Sequence, residues 1–284
     1  MVANRTDLAL ETAENLGGKE KFLPRDGVRI VEQTREGYCI TALDITNERG
    51  AETMEKPIGH YVTIDLTPYF RRQSGFFSRG ARCIAEELAA LLPDVGQDSP
   101  TLVVGLGNRA MTADAVGSMV LDNLLVTRHM VKALPLQFHT FTPVSALTTG
   151  VTGCTGLETL ELVQGVVEQI KPVAVIVVDA LAAQERSHLC STVQLSDTGL
   201  IPGSGVDNHR NAINQETLGV PVIAVGLPTV ISTNYLGDKH GEELFLTPRD
   251  IDQRVRELGR LIGYGITLAL QPALTLEDVT GLLG

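Results

Sequence analysis

Thr101-Leu-Val-Val104-Gly105-Leu-Gly107-Asn108, followed by a helical pattern from Ala113 to Arg128, decides the fold. A short apolar run halts at a glycine turn and a helix follows, which is the rhythm of an α/β chain. The rhythm repeats downstream. A helix is expected from Leu157 to Ile170, and the strand Val173 to Val178 ends on Asp179. Leu189 to Leu195 and Val220 to Val225 read as further buried strands. Thr247-Pro-Arg-Asp250 opens a last helix, with Thr247 as the expected N-cap. Upstream, Val28 to Val31, Tyr38 to Ile45 and Gly59 to Leu66 read as strands of a hairpin or meander, the last two joined by the polar turn Thr46 to Gly50. A helix from Ala81 to Leu92 stops at Pro93, and His139 to Leu147 is another expected strand. The expectation is a single domain over all 284 residues, a three-layer α/β/α sandwich on a mostly parallel, mixed sheet with an N-terminal β hairpin or meander.

Composition narrows the function. With 43% hydrophobic residues, only 4% aromatic and no Trp, the core is built from Val, Leu, Ile and Ala, as in buried parallel sheets. The net charge of -11 excludes a nucleic-acid surface, which needs clustered Lys and Arg. Cys39, Cys83, Cys154 and Cys190 lie far apart without a CxxC pair, as expected of a reduced, cytoplasmic protein. No apolar run approaches the roughly 18 residues a membrane span needs.

Three acids sit where α/β sheets place ligands, near strand ends: Asp114, Asp179 and Asp197. Asp197 belongs to Ser196-Asp-Thr-Gly199, an apolar alternation running into a glycine-rich loop that also contains Gly203 and Gly205. Each acid also has a structural explanation: Asp114 at a helix N-terminus, Asp179 as a cap, Asp197 in an Asx-turn. As a pair, Asp114 and Asp197 suit hydrolysis by two carboxyls, one activating water and the other donating a proton. The Gly105-Leu-Gly107 loop could instead hold a phosphate, but Ala110 replaces the third glycine of that motif. His188 and His209 could join the acids in a metal site, although no short-spacing ligand pair supports one.

Several segments resemble the germination proteases of spore-forming bacteria: Arg5-Thr-Asp-Leu-Ala-Leu-Glu11, Leu43-Asp-Ile-Thr-Asn-Glu-Arg-Gly50, Val103-Val-Gly-Leu-Gly-Asn108, Asp179-Ala-Leu-Ala-Ala183, Ser196 to Val206 and Pro221 to Thr229. The resemblance implies an atypical aspartic endopeptidase that degrades small acid-soluble spore proteins, in the forespore and spore core, on a fold similar to that of hydrogenase maturation proteases. It implies Asp114 and Asp197 as the catalytic pair, no metal or other cofactor, and a homotetramer without nucleic-acid or membrane partners. Supporting or substrate-binding roles are expected for Asp179, Gly105, Gly107, Asn108, Gly199, Gly203 and Gly205. It further implies a zymogen that cuts itself. Thr6-Asp7-Leu8-Ala9 resembles the family's cleavage site, so the expected cut falls between Asp7 and Leu8, with residues 1–7 as a short propeptide. Other readings of the acids are a metal-dependent maturation-type peptidase and a non-catalytic peptide-binding relative.

Overall fold

A computed structural model describes residues 6–17, 26–94, 98–203, 210–236 and 244–284. Its strands are β1 (Val28–Arg35), β2 (Tyr38–Ile45), β3 (Gly59–Asp65), β4 (Thr101–Leu106), β5 (Val144–Gly150), β6 (Ala174–Ala183), β7 (Thr192–Ser196), β8 (Val222–Ser232) and β9 (Phe245–Leu246). They form one mixed sheet in the order β1-β2-β3-β7-β8-β6-β4-β5, with β9 paired to β8. The strands β8, β6, β4 and β5 are parallel, and β1, β2, β3 and β7 form an antiparallel wing. Among the described residues no helix is long and apolar enough to cross a membrane.

Side-chain alternation gives the sheet two distinct faces. One face carries Ile40, Val62, Ile64, Val103, Ile176, Val178, Val193, Leu195, Ile223 and Val225, packed under the helices Phe76–Leu91, Val116–Leu121 and Ile251–Leu270. This is a single continuous layer. The opposite face is covered in two separate pieces. The helix Thr159–Ile170 sets Val163 and Val167 on Leu102, Val104, Val175 and Val177 of the parallel strands. The helices Ala9–Gly17 and Glu48–Met54 set Ala9, Ala13 and Met54 on Leu43, Ile45 and Tyr61 of the wing. Among the described residues neither piece extends over the part of the sheet between them, where Asp179, Gln194 and Ser196 line a cavity.

Several elements differ from the sequence reading. The turn after β2 contains the helix Glu48–Met54, capped by Asn47, whose side chain accepts the Gly50 N–H at 2.9 Å. The helix expected over Ala113 to Arg128 is broken into the 3-10 turn Thr112–Asp114 and the helices Val116–Leu121 and Arg128–Ala133. The break follows from Asp114 folding back onto the preceding loop, described below. The strand expected from His139 begins only at Val144. Thr247 is not an N-cap: its hydroxyl donates to the Thr229 carbonyl at 2.9 Å, and the helix starts at Ile251.

Candidate active site

The chain leaves β4 toward β5 on one side and returns through the helix Thr159–Ile170 to β6 on the other. Adjacent strands whose connections depart in opposite directions open a crevice at their C-terminal ends, the usual ligand position in such sheets. Asp114 comes from the loop after β4, and Asp179 from β6 itself. Both line one cavity of about 340 Å³, together with Gly107, Arg210 and Thr229.

Asp114 is held by its own loop. Its carboxylate accepts the Asn108 N–H at 2.8 Å, and its N–H donates to the Met111 carbonyl at 2.8 Å. Gly107, at φ +94°, makes this possible: a Cβ there would stand 2.0 Å from the Asp114 carbonyl oxygen. The turn is tied to β8 by Thr229, whose hydroxyl donates to the Ala113 carbonyl at 2.7 Å. Burial raises the Asp114 carboxyl above its ordinary range, against the pull of the Asn108 N–H and the Arg210 charge.

Asp179 is 6% exposed. It follows Val175 and Val177 at period two, so it faces their side of the sheet rather than the continuous helix layer. Burial pushes its carboxyl up to about 8, and the nearby charges of Asp114 and Asp7 add to the shift. The Ala180 N–H, 2.9 Å from its carboxylate, opposes the rise without cancelling it. At neutral pH Asp179 therefore carries its proton.

Asp197 lies elsewhere. Asp179, Gly226 and Gln194 are aligned across β6, β8 and β7, and Asp197 is three residues beyond Gln194. At strand spacings this puts its Cα about 14 Å from that of Asp179, on the side away from Asp114. It lines neither this cavity nor the one beside it. Its carboxylate accepts the His60 N–H at 2.8 Å and its own N–H donates to the His60 carbonyl at 3.3 Å, closing the end of the β3–β7 ladder. The pair that the structure brings together is Asp114 with Asp179, not Asp114 with Asp197.

The remaining expected residues divide in the same way. Gly105 packs β4 against Gly117, Asn108 supplies the N–H on Asp114, and Gly203 lines both cavities. Gly199 supports the bridge between Leu200 and Ile213 and borders the second cavity. Gly205 and His209 lie outside the described residues. His188 is remote from the acids' cavity, donating or accepting at 2.9 Å with the fully buried Glu11 carboxylate. Among the described residues no group of three or more His, Cys, Asp or Glu could hold a metal ion.

The N-terminal segment enters the site. Leu8 and Ala9 are fully buried, and Glu11 is anchored by the N–H groups of Gln184 and Glu185 at 2.8 and 3.0 Å. Asp7 lines both cavities; its N–H donates to the Ala182 carbonyl at 3.1 Å, and its carboxylate accepts the Ala182 N–H at 2.8 Å. The second cavity, about 260 Å³, adds Lys56, Tyr61 and Gln194 around Asp179. Lys56, Gln194 and Arg210 were not singled out from the sequence. The one available signal was Gln194, a polar residue on a strand whose neighbours are apolar or small.

A family model described as germination protease matches residues 4–238. A germination protease of Clostridium perfringens (strain SM101 / Type A) is 38% identical, the alignment covering 98% of this chain and 98% of the relative. That of Caldanaerobacter subterraneus subsp. tengcongensis is 39% identical with the same coverage, and that of Bacillus subtilis (strain 168) is 37% identical over 97% of this chain and 76% of its own. Among solved structures, the NiFe hydrogenase maturation protease HycI from Thermococcus kodakarensis KOD1 aligns over 63% of this chain and 98% of its own, with TM-score 0.38 and 21% identity. With a family model spanning most of its length and relatives above one third identical from end to end, this chain belongs to the germination protease family, a family of peptidases.

Proposed function

We propose that the chain is an endopeptidase of spore germination that cleaves small acid-soluble spore proteins with Asp114 and Asp179 as an aspartic pair. One observation carries the reading: two carboxyls, one from the loop after β4 and one from β6, line one cavity at the switch point of the sheet, and burial raises the deeper one to about 8. Asp114, supported by the Asn108 N–H and the Arg210 charge, is the base. It takes a proton from water as the water oxygen bonds to the scissile carbonyl carbon, leaving a tetrahedral oxyanion. Asp179 then gives its proton to the departing nitrogen as the C–N bond breaks. Transfer of the proton from Asp114 to Asp179 restores the starting state, so one water is consumed per bond.

Zymogen processing between Asp7 and Leu8 belongs to the same reading, supported by the entry of Asp7 into both cavities. Family resemblance supports assembly as a homotetramer in the forespore and spore core. The test compares three variants on purified spore protein. Asp114→Asn and Asp179→Asn should lose about 1,000-fold or more in kcat, whereas Asp197→Asn should stay within a few-fold. Loss in Asp197→Asn with its fold intact, together with an active Asp179→Asn, would transfer the pairing to Asp114 and Asp197.

A further inference from the structure

The peptide group that joins Asp7 to Leu8 is gripped on every polar atom. Lys56 Nζ donates to the Asp7 carbonyl oxygen at 3.2 Å and to the preceding Thr6 carbonyl at 2.8 Å. Gln194 Nε2 donates to the same Asp7 oxygen at 3.1 Å. The other end of the Gln194 amide, Oε1, accepts the Ala9 N–H at 2.7 Å, so one side chain spans both sides of the bond. The Leu8 N–H donates to the Thr6 hydroxyl at 3.1 Å.

Two donors converging on one carbonyl oxygen form the arrangement that stabilises an oxyanion. Both donors line the cavity that contains Asp179. Gln194 projects from β7 in register with Asp179, through Gly226 between them, and Lys56 follows the helix Glu48–Met54. We infer that Lys56 and Gln194 form the oxyanion-binding site of the peptidase, with the Ala182 N–H reading the acidic side chain of the residue whose carbonyl is attacked. This deepens the reading of Asp7–Leu8 as a scissile bond and rests on it. The hydrogen bonds of Lys56 and Gln194 to Thr6, Asp7 and Ala9 all go to backbone atoms, so they serve any sequence in the groove, while the Ala182 N–H holds the acidic side chain. Burial lowers the Lys56 ammonium, and the opposing charges of Asp7, Glu11 and Glu55 do not cancel that shift.

The full-length chain provides the assay: the first-order rate of the cut after Asp7, read by mass spectrometry, beside hydrogen exchange of residues 8–17 as the measure of docking. Lys56→Met and Gln194→Glu should each slow the cut about 100-fold, the scale of one lost oxyanion donor, with exchange unchanged. Lys56→Arg should return the rate to within about tenfold of the original. Gln194→Glu keeps an acceptor for Ala9, removes the donor and adds a negative charge, so the neutral Gln194→Met is read beside it, with the same slowing of about 100-fold expected, and decides the matter if Lys56→Met fails to fold. Rates within about threefold of the original, or slowing that merely tracks lost protection, would overturn the inference. Asp179→Asn separates the two levels: if it still cuts, the proposed pair fails, whereas a dead Asp179→Asn beside normal Lys56→Met and Gln194→Glu rates removes only the oxyanion site. If the unaltered chain is not cut, the same variants are read on kcat for added spore protein, with the same thresholds.

Discussion

Replacing Asp179 by Asn exchanges a carboxyl for an amide of nearly the same shape, and the consequence should depend on pH. In the unfolded chain Asp179 ionises near 3.8; in the fold it ionises near 8. Between these values folding must put a proton on the group, so the native protein binds more protons than the unfolded one and stability falls as pH rises. The penalty is absent below about pH 4 and complete above about pH 8. At pH 7 the interval is 7 minus 3.8, about 3 pH units, and at about 1.4 kcal/mol per unit the ceiling is roughly 4 kcal/mol. Asn carries no such penalty. Urea unfolding from about pH 4 to about pH 8.5 should therefore find Asp179→Asn equal to the parent at the acid end and more stable by a few kcal/mol at the alkaline end, with m unchanged. The same variant should be inactive, because the group that destabilises the fold is the one that supplies the proton. A stability difference that stays constant across the pH range would refute the claim that burial holds Asp179 protonated.

Three further outcomes follow from other contacts. Gly107→Ala should reduce both activity and stability, the latter by about 3 kcal/mol or more, since the new methyl meets the Asp114 carbonyl at 2.0 Å in a left-handed backbone; thermal melting and substrate turnover read it. His188 tests the N-terminal latch. Burial lowers its pKa, but the bond to Glu11 and that carboxylate's charge outweigh burial and leave it raised. Its contribution is thus fully present below the ordinary value of about 6.5 and is lost as pH rises through the higher folded value. Protection of residues 8–17 from exchange should weaken across that window, and His188→Ala should weaken it at acid pH and flatten the dependence. Finally, iodoacetamide near neutral pH should label Cys39 and Cys154, which are exposed, and spare Cys83 and Cys190, whose thiols burial pushes up to about 12. Rapid labelling of all four would contradict their packing.

The strands were legible because β4, β6 and β8 are buried on both faces and read as unbroken apolar runs. The acids were legible as residues that close apolar runs, although β6 continues past Asp179 to Ala183, and their pairing was not legible. Asp179 and Asp197 both close apolar runs, and the pattern along the chain does not tell that β7 enters antiparallel, beyond β8 from β6. That reversal carries the end of β7 away from the crevice and turns Asp197 into a ladder cap. The break after β4 was hidden for a related reason. Helix propensity favours Ala113 to Arg128, but the Asn108 N–H and the space left by Gly107 draw Asp114 back before a regular helix can begin. Lys56 and Arg210 meet the acids only through long-range folding, so no local signal marks them.

Asp7 adds, after burial and Asp114, to the forces that keep Asp179 protonated, so the N-terminal segment contributes to the acidity of the cleft it enters. A cut after Asp7 would replace a neutral amide nitrogen by an ammonium on Leu8 and let the Asp7 carboxylate leave. Both changes favour the ionised form of Asp179. The shortened protein would then hold a stronger acid than its precursor, with a working range displaced toward lower pH. One sheet, in two lengths, would be two enzymes with different tolerance of the medium around them.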